Sequence, residues 1–82
     1  NAILDRTFVD DKGVRWIIDY KASSHEGGRL DEFLDREHER YAAQLERYAA
    51  LMGKIDARPI RLGLYFPLLG GWREWASAAA SR

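Results

Sequence analysis

Three residues set the chemistry this chain could carry: Asp5, and Asp19 with Lys21 in the run Asp19-Tyr20-Lys21. Two carboxylates can share a divalent cation, which prefers hard oxygen ligands. A lysine two residues beyond the second acid projects from the same face of a strand. Its ammonium could then orient an attacking water or stabilise a charged transition state. The backbone carbonyl of Tyr20, between the two motif residues, could add a further oxygen. Together these residues suit metal-dependent phosphodiester hydrolysis, which needs an activated water, a neutralised phosphate and a stabilised leaving oxygen. The competing reading is structural: Asp19 pairs with Lys21 or Arg6 on an exposed sheet face, and D-x-K is short enough to occur by chance.

The site depends on how two strands pair. Residues 3–9 and 14–21 are rich in β-branched and aromatic residues, and Asp10-Asp11-Lys12-Gly13 between them is a turn signal. A three-residue loop at 11–13, with Gly13 left-handed, sets Asp10 opposite Val14. Counting back along both strands sets Asp5 opposite Asp19, and directly opposite residues share a face. Asp5, Asp19 and Lys21 then lie with Ile3, Thr7, Val9, Arg15 and Ile17. The other face carries Leu4, Phe8, Trp16, Ile18 and Tyr20, and is expected to be the main core. A two-residue loop would shift the register by one and separate the two aspartates.

A polar loop over 22–30 leads to a long helix. Asp31 is the expected N-cap, Glu32 suits the first turn and Gly53 is the expected stop. At ~1.5 Å per residue the helix is roughly 33 Å long. Leu34, Tyr41, Leu45, Tyr48 and Met52 form one apolar stripe that packs on the sheet. Arg36, Arg40 and Arg47 line one flank, and Glu32, Asp35, Glu39 and Glu46 the other. Gln44 sits between the stripe and the basic flank. After a linker at 54–58 closed by Pro59, Ile60–Phe66 alternates as a third strand, and Gly70-Gly71 turns the chain into a short fourth at 72–75. The order is β-β-α-β with a possible final β. The expected architecture is α/β, with a mixed sheet and one long helix on a face.

Composition bounds the rest. The 82 residues allow at most one small domain. There is no cysteine, hence no disulfide framework and no thiolate metal site, which fits a reducing cytoplasm. No apolar run approaches the ~20 residues of a membrane span. A formal charge of zero argues mildly against a free-standing nucleic-acid binder but leaves room for a locally acidic active site. Asn1-Ala2 reads as a tag remnant, 3–75 as a partial domain and 76–82 as a frayed tail with nothing to bury. His25 and His38 have no partner at ligand spacing and are read as loop and helix-flank residues. Trp72 and Trp75 could be core on the last strand, or could have packed on a portion now missing. Uncovered edges and apolar surface would then favour self-association.

The sequence also resembles a known family. Ile3-Leu4-Asp5-Arg6, then Trp16-Ile17-Ile18-Asp19-Tyr20-Lys21, then Tyr41-x2-Gln44-Leu45-x2-Tyr48-Ala49 is similar to the RecB-type branch of the PD-(D/E)xK nucleases. The resemblance covers roughly residues 3–75 and implies a fragment of a restriction-endonuclease-like core. In that branch the nuclease domain usually ends a UvrD-like or AddA/RecB-like helicase–nuclease chain. The resemblance implies a Mg²⁺- or Mn²⁺-dependent DNA nuclease of recombination and repair, with Asp5 and Asp19 as metal-binding acids and Lys21 as the catalytic lysine. It makes Gln44 and Tyr48 neighbours of the active site or DNA contacts, although residue pattern alone reads Tyr48 as core and Gln44 as a solvated edge. Arg40 and Arg47 become candidate DNA contacts, although a solvated helix face explains them equally well. Two features depart from the family. Its upstream helix with a further metal ligand precedes Ile3 and is not in this sequence, and Ala22 stands where Thr or Ser is common. No G-x4-G-K-[ST] run is present, so ATP would belong to a helicase part outside these residues. DNA, parent helicase domains and a partner subunit are the partners implied. The alternative function is a non-catalytic DNA-binding or assembly module.

Overall fold

The computed structural model describes residues 6–23 and 28–78. Four strands and one helix follow in the order β1 (Arg6–Val9), β2 (Arg15–Tyr20), α1 (Leu30–Met52), β3 (Ile60–Phe66) and β4 (Gly71–Ala76). The sheet order is β1-β2-β3-β4; β1–β2 and β3–β4 are antiparallel, and β2–β3 is parallel. The chain is therefore α/β, with a four-stranded mixed sheet and one long helix. Two parallel strands need a long crossover, and α1 supplies it.

The first hairpin has the register expected from its turn. Val9 pairs with Arg15 and Thr7 with Ile17, and the Asp10 amide donates to the Val14 carbonyl. Gly13 takes φ of 81°, the left-handed conformation that lacks a steric penalty only for glycine. Asp10 fixes the turn with its side chain. Oδ1 accepts from the Lys12 and Val14 amides, and Oδ2 from the Trp16 indole N–H. The Val14 amide, then the Trp16 indole, hold its carboxyl below the ordinary value. Asp5 and its pairing lie outside the described residues.

The core lies on the face opposite to the one expected. The helix packs over Ile17, Ile60, Leu62, Leu64 and Phe66, using Leu34, Leu45 and Ala49 as its buried stripe, with Tyr41, Tyr48 and Met52 packed at its margins. Ile17 is fully buried; of the row expected as core, Ile18 is buried too, at 9% exposure, whereas Tyr20 is 41% exposed. Phe8 and Trp16 are only half-buried. The reason is the third strand. Its aliphatic row Ile60-Leu62-Leu64-Phe66 shares a face with Ile17, and Asp19 pairs with Leu64. The other face of β3 carries Arg61, Gly63 and Tyr65, too polar and too hollow to seat a helix. There Trp72 lies across Gly63, where an added Cβ would come within 2.5 Å of the indole. Phe8, Trp16 and Trp72 form a run of adjacent rings, with centroids 6.5 Å and 6.1 Å apart, and Tyr65 lies 6.3 Å from Trp72.

The ends of the helix also differ from the sequence reading. Arg29, not Asp31, is the N-cap, and it makes no side-chain capping bond. Asp31 falls in the first turn with Glu32, where negative charge suits the helix dipole. Gly53 does stop the helix, but with φ of −64° rather than in the left-handed form. At the other end of the chain, Ala76 closes β4 and Ser77 is buried, contrary to a tail with nothing to bury from 76 onward. The Ser77 amide donates to the Ile60 carbonyl. Glu46 on α1 accepts from the Ser77 hydroxyl, the Trp75 indole and the Ala78 amide. Trp75 thus packs on the helix side, its ring 4.2 Å from that of His38. His25 and the terminal residues 79–82 lie outside the described residues.

Asp56 anchors the entry to β3. It accepts from the Arg58 amide and guanidinium and from Arg15 Nε at 2.9 Å. The Arg58 amide first, then Arg15, lower its pKa from 3.8 to about 2. A depressed folded pKa contributes stability above the unfolded value that is lost as pH falls through the folded one. Asp56→Asn is therefore expected to flatten the loss of stability between about pH 4 and pH 2, read by urea titration at each pH. An unchanged pH slope would remove Asp56 from the acid response. The placement of the core has its own test. Ile17→Ala is expected to cost about 2–5 kcal/mol, and Tyr20→Ala clearly less, in denaturant unfolding. Equal costs would contradict the observed sidedness.

Candidate active site around Asp19 and Lys21

β2 is an interior strand, between β1 and β3; Asp19 lies near its end and Lys21 just beyond it. Asp19 belongs to the same alternating row as Ile17, so it points beneath the helix and is only 4% exposed. Lys21 is one step past the strand, but its amide still donates to the Tyr65 carbonyl at 2.8 Å. The period-two geometry therefore carries through, and both side chains emerge on the helix side. Lys21 Nζ lies 3.1 Å from Asp19 Oδ2, with side-chain exposures of 14% and 6%. A carboxylate in such a place is costly unless paired. The pair is thus present, but the exposed sheet face of the structural alternative is not where it sits.

The same ammonium rests on an aromatic face. Lys21 Nζ is 3.6 Å from the ring centroid of Tyr41 on α1, and the guanidinium carbon of Arg40 is 5.4 Å from that ring. The spacing of Tyr41 predicts a core residue; it does pack against the core, and it also contacts the site. Nothing in the periodicity distinguished the two roles, because a stripe residue at the margin of a sheet satisfies both.

The Tyr20 carbonyl has a defined direction. In a trans peptide the C=O and the following N–H point oppositely. Since the Lys21 amide points to β3, the Tyr20 carbonyl points away from β3, to the β1 side of the strand. Asp5 lies outside the described residues. Among the described residues no group of three or more His, Asp or Glu side chains is placed to hold a metal ion. Asp19 is the acid that the described site contributes. One carboxylate with water is a donor set that Mg²⁺ accepts, because Mg²⁺ keeps much of its hydration and often takes only one or two carboxylates.

Gln44 sits one turn from Tyr41 on α1. Its side chain is half-buried, and Nε2 is buried with no hydrogen-bond partner among the described residues. An unsatisfied buried amide costs free energy, so Gln44 is neither a solvated edge nor a packed core residue. Tyr48, one turn further on, packs at the margin of the core. Arg36, Arg40 and Arg47 are exposed along the flank. Arg40 approaches Glu37 only at 3.9 Å, its own side chain 69% exposed, which leaves its charge available to solvent or phosphate. Glu37 itself is buried, and sequence reasoning missed it; its spacing, three residues after Leu34 and four before Tyr41, puts it at the border of the apolar stripe and was the available signal. Among the described residues no helix is long and apolar enough to cross a membrane. No family model, curated protein or solved structure matches this chain.

Gln44→Met retains approximate shape and removes the orphaned donor. It is expected to leave stability unchanged or raise it by about 1–3 kcal/mol in urea unfolding. A clear loss of stability would show that the amide is satisfied in solution.

Proposed function

We propose that this chain is part of a restriction-endonuclease-like core and contributes Asp19 and Lys21 to a metal-dependent DNA nuclease of the RecB type. The observation that carries the reading is a carboxylate buried on an interior strand, charge-balanced by the lysine two residues on. A fold stabilised by apolar packing alone has no use for a charge pair at that depth, and replacement by apolar residues is often neutral or stabilising. The order of motifs supports the same reading, as does the buried amide of Gln44, which has no partner among the described residues.

Roles for the chain's own groups follow from position. Asp19 offers carboxylate oxygens to Mg²⁺ or Mn²⁺, and the sequence assigns Asp5 and the Tyr20 carbonyl to the same task. The bound ion supplies Lewis-acid charge to the scissile phosphate. Lys21 aims its ammonium at the attacking water or at a phosphoryl oxygen, where it offsets the charge that builds as water adds and the P–O ester bond breaks. Gln44 donates its free N–H to a phosphate oxygen or to water, with Tyr48 beside it. Arg40 and Arg47 contact the DNA backbone, which positions the strand without reading its sequence. DNA repair and recombination, with parent helicase domains as partners and ATP used there, is the wider setting. Self-association through uncovered edges belongs to the same proposal.

Calorimetric titration with Mg²⁺ and Mn²⁺ tests the assignment. The wild-type chain is expected to show saturable binding, and Asp19→Ala none. Lys21→Met is expected to bind Mg²⁺ about 10-fold more tightly or better. It removes the internal cation that competes for Asp19, a charged contact worth about 1.5–3 kcal/mol. Wild-type and Asp19→Ala chains that bind identically would contradict the metal site and favour a DNA-binding or assembly module.

A further inference from the structure

A lysine side chain has four rotatable bonds, and fixing it costs up to ~2 kcal/mol of rotamer entropy. The carboxylate of Asp19 attracts the Lys21 ammonium but does not fix its path, because a compact ammonium with three rotatable donors can reach the same oxygens from several side-chain rotamers. Asp19 and Lys21 also come from the same strand end, so their mutual contact does not tie either to the helix. Tyr41 does both. Its ring is carried by α1, and its π face lies 3.6 Å from Nζ while the carboxylate oxygen lies 3.1 Å away. The ammonium is held between an acid on the strand and a ring on the helix. With the lysine side chain only 14% exposed, the contact is largely removed from water, where cation–π attraction is strongest.

We propose that Tyr41 is the positioning residue for Lys21, holding its ammonium at the edge of the Asp19 carboxylate and keeping it against the ring when a metal ion takes that carboxylate. The inference rests on the nuclease reading only for this second clause. A cation arriving at Asp19 repels the ammonium, and a freely rotating lysine would swing into solvent. The ring supplies a favourable surface that does not compete for the metal, because it offers no oxygen lone pair at its face. The lysine then stays within reach of the reacting phosphate.

The test is proton NMR of the Lys21 ε-methylene in the 82-residue chain, with and without Mg²⁺, in wild type, Tyr41→Phe and Tyr41→Leu. Wild type and Tyr41→Phe are expected to show an upfield ring-current shift that Tyr41→Leu loses, while Ile17 and Leu45 methyl signals confirm that each variant is folded. In wild type the upfield shift is expected to persist at saturating Mg²⁺. An unshifted wild-type methylene, a Tyr41→Phe spectrum like that of Tyr41→Leu, or a collapse of the shift on metal binding would overturn the proposal. If Mg²⁺ perturbs no signal in any variant, the metal reading fails by itself. The metal-free spectra then decide the positioning role alone.

Discussion

The structure depends on how one charge is accommodated under a helix. Asp19 occupies an interior strand position in the same row as fully buried Ile17, and its partner in β3 is Leu64. Every neighbour that makes that row a good helix seat also makes it a poor place for a carboxylate. Lys21 resolves the conflict locally, since the strand period returns its side chain to the same face. The helix margin resolves it further, because an aromatic ring at Tyr41 can accept the lysine where an aliphatic residue could only desolvate it.

The scaffold around this pair is held from several sides by polar contacts with long sequence separation. Arg15 and Asp56 join the start of β2 to the approach of β3, and Arg73 on β4 reaches Asp35 on α1 at 3.2 Å. Glu46 gathers three donors from the end of β4. The ties from Arg73 and Glu46 hold the helix against β4, and Tyr41 on that helix meets Lys21 just past the end of β2. Among the described residues no helix covers the opposite sheet face. It carries a run of rings bordered by Arg6 over Phe8 and Arg61 over Trp16.

Much of the architecture was legible because local rules determined it. The Asp-rich turn ending in Gly13 set the hairpin register, and the spacing of Leu34, Leu45 and Met52 defined the helix stripe. Sidedness was not legible from the hairpin, where one row mixes Val9 and Ile17 with Thr7, Arg15, Asp19 and Lys21 and the other, bulkier and aromatic, looks the better core. The aliphatic run of β3 decided it, and aromatic rings instead took the open face, where their edges reach polar partners. The helix start also escaped the capping rule. Asp31 has the right residue type, but the first turn begins at Leu30, and acidic side chains serve there through the dipole. Of the site, the shared face of Asp19 and Lys21 follows from strand period alone. The contact of Lys21 with Tyr41 does not, since it depends on where the helix crosses the sheet.

The most direct test of the account is a crystal structure of the chain saturated with Mn²⁺, with anomalous scattering used to locate the ion. The account predicts a peak coordinated by the Asp19 carboxylate, with the Lys21 ammonium displaced from Oδ2 yet still against the Tyr41 ring. A closed Asp19–Lys21 pair with manganese elsewhere or nowhere would contradict it, and would leave the buried pair as a structural ion pair of an α/β domain.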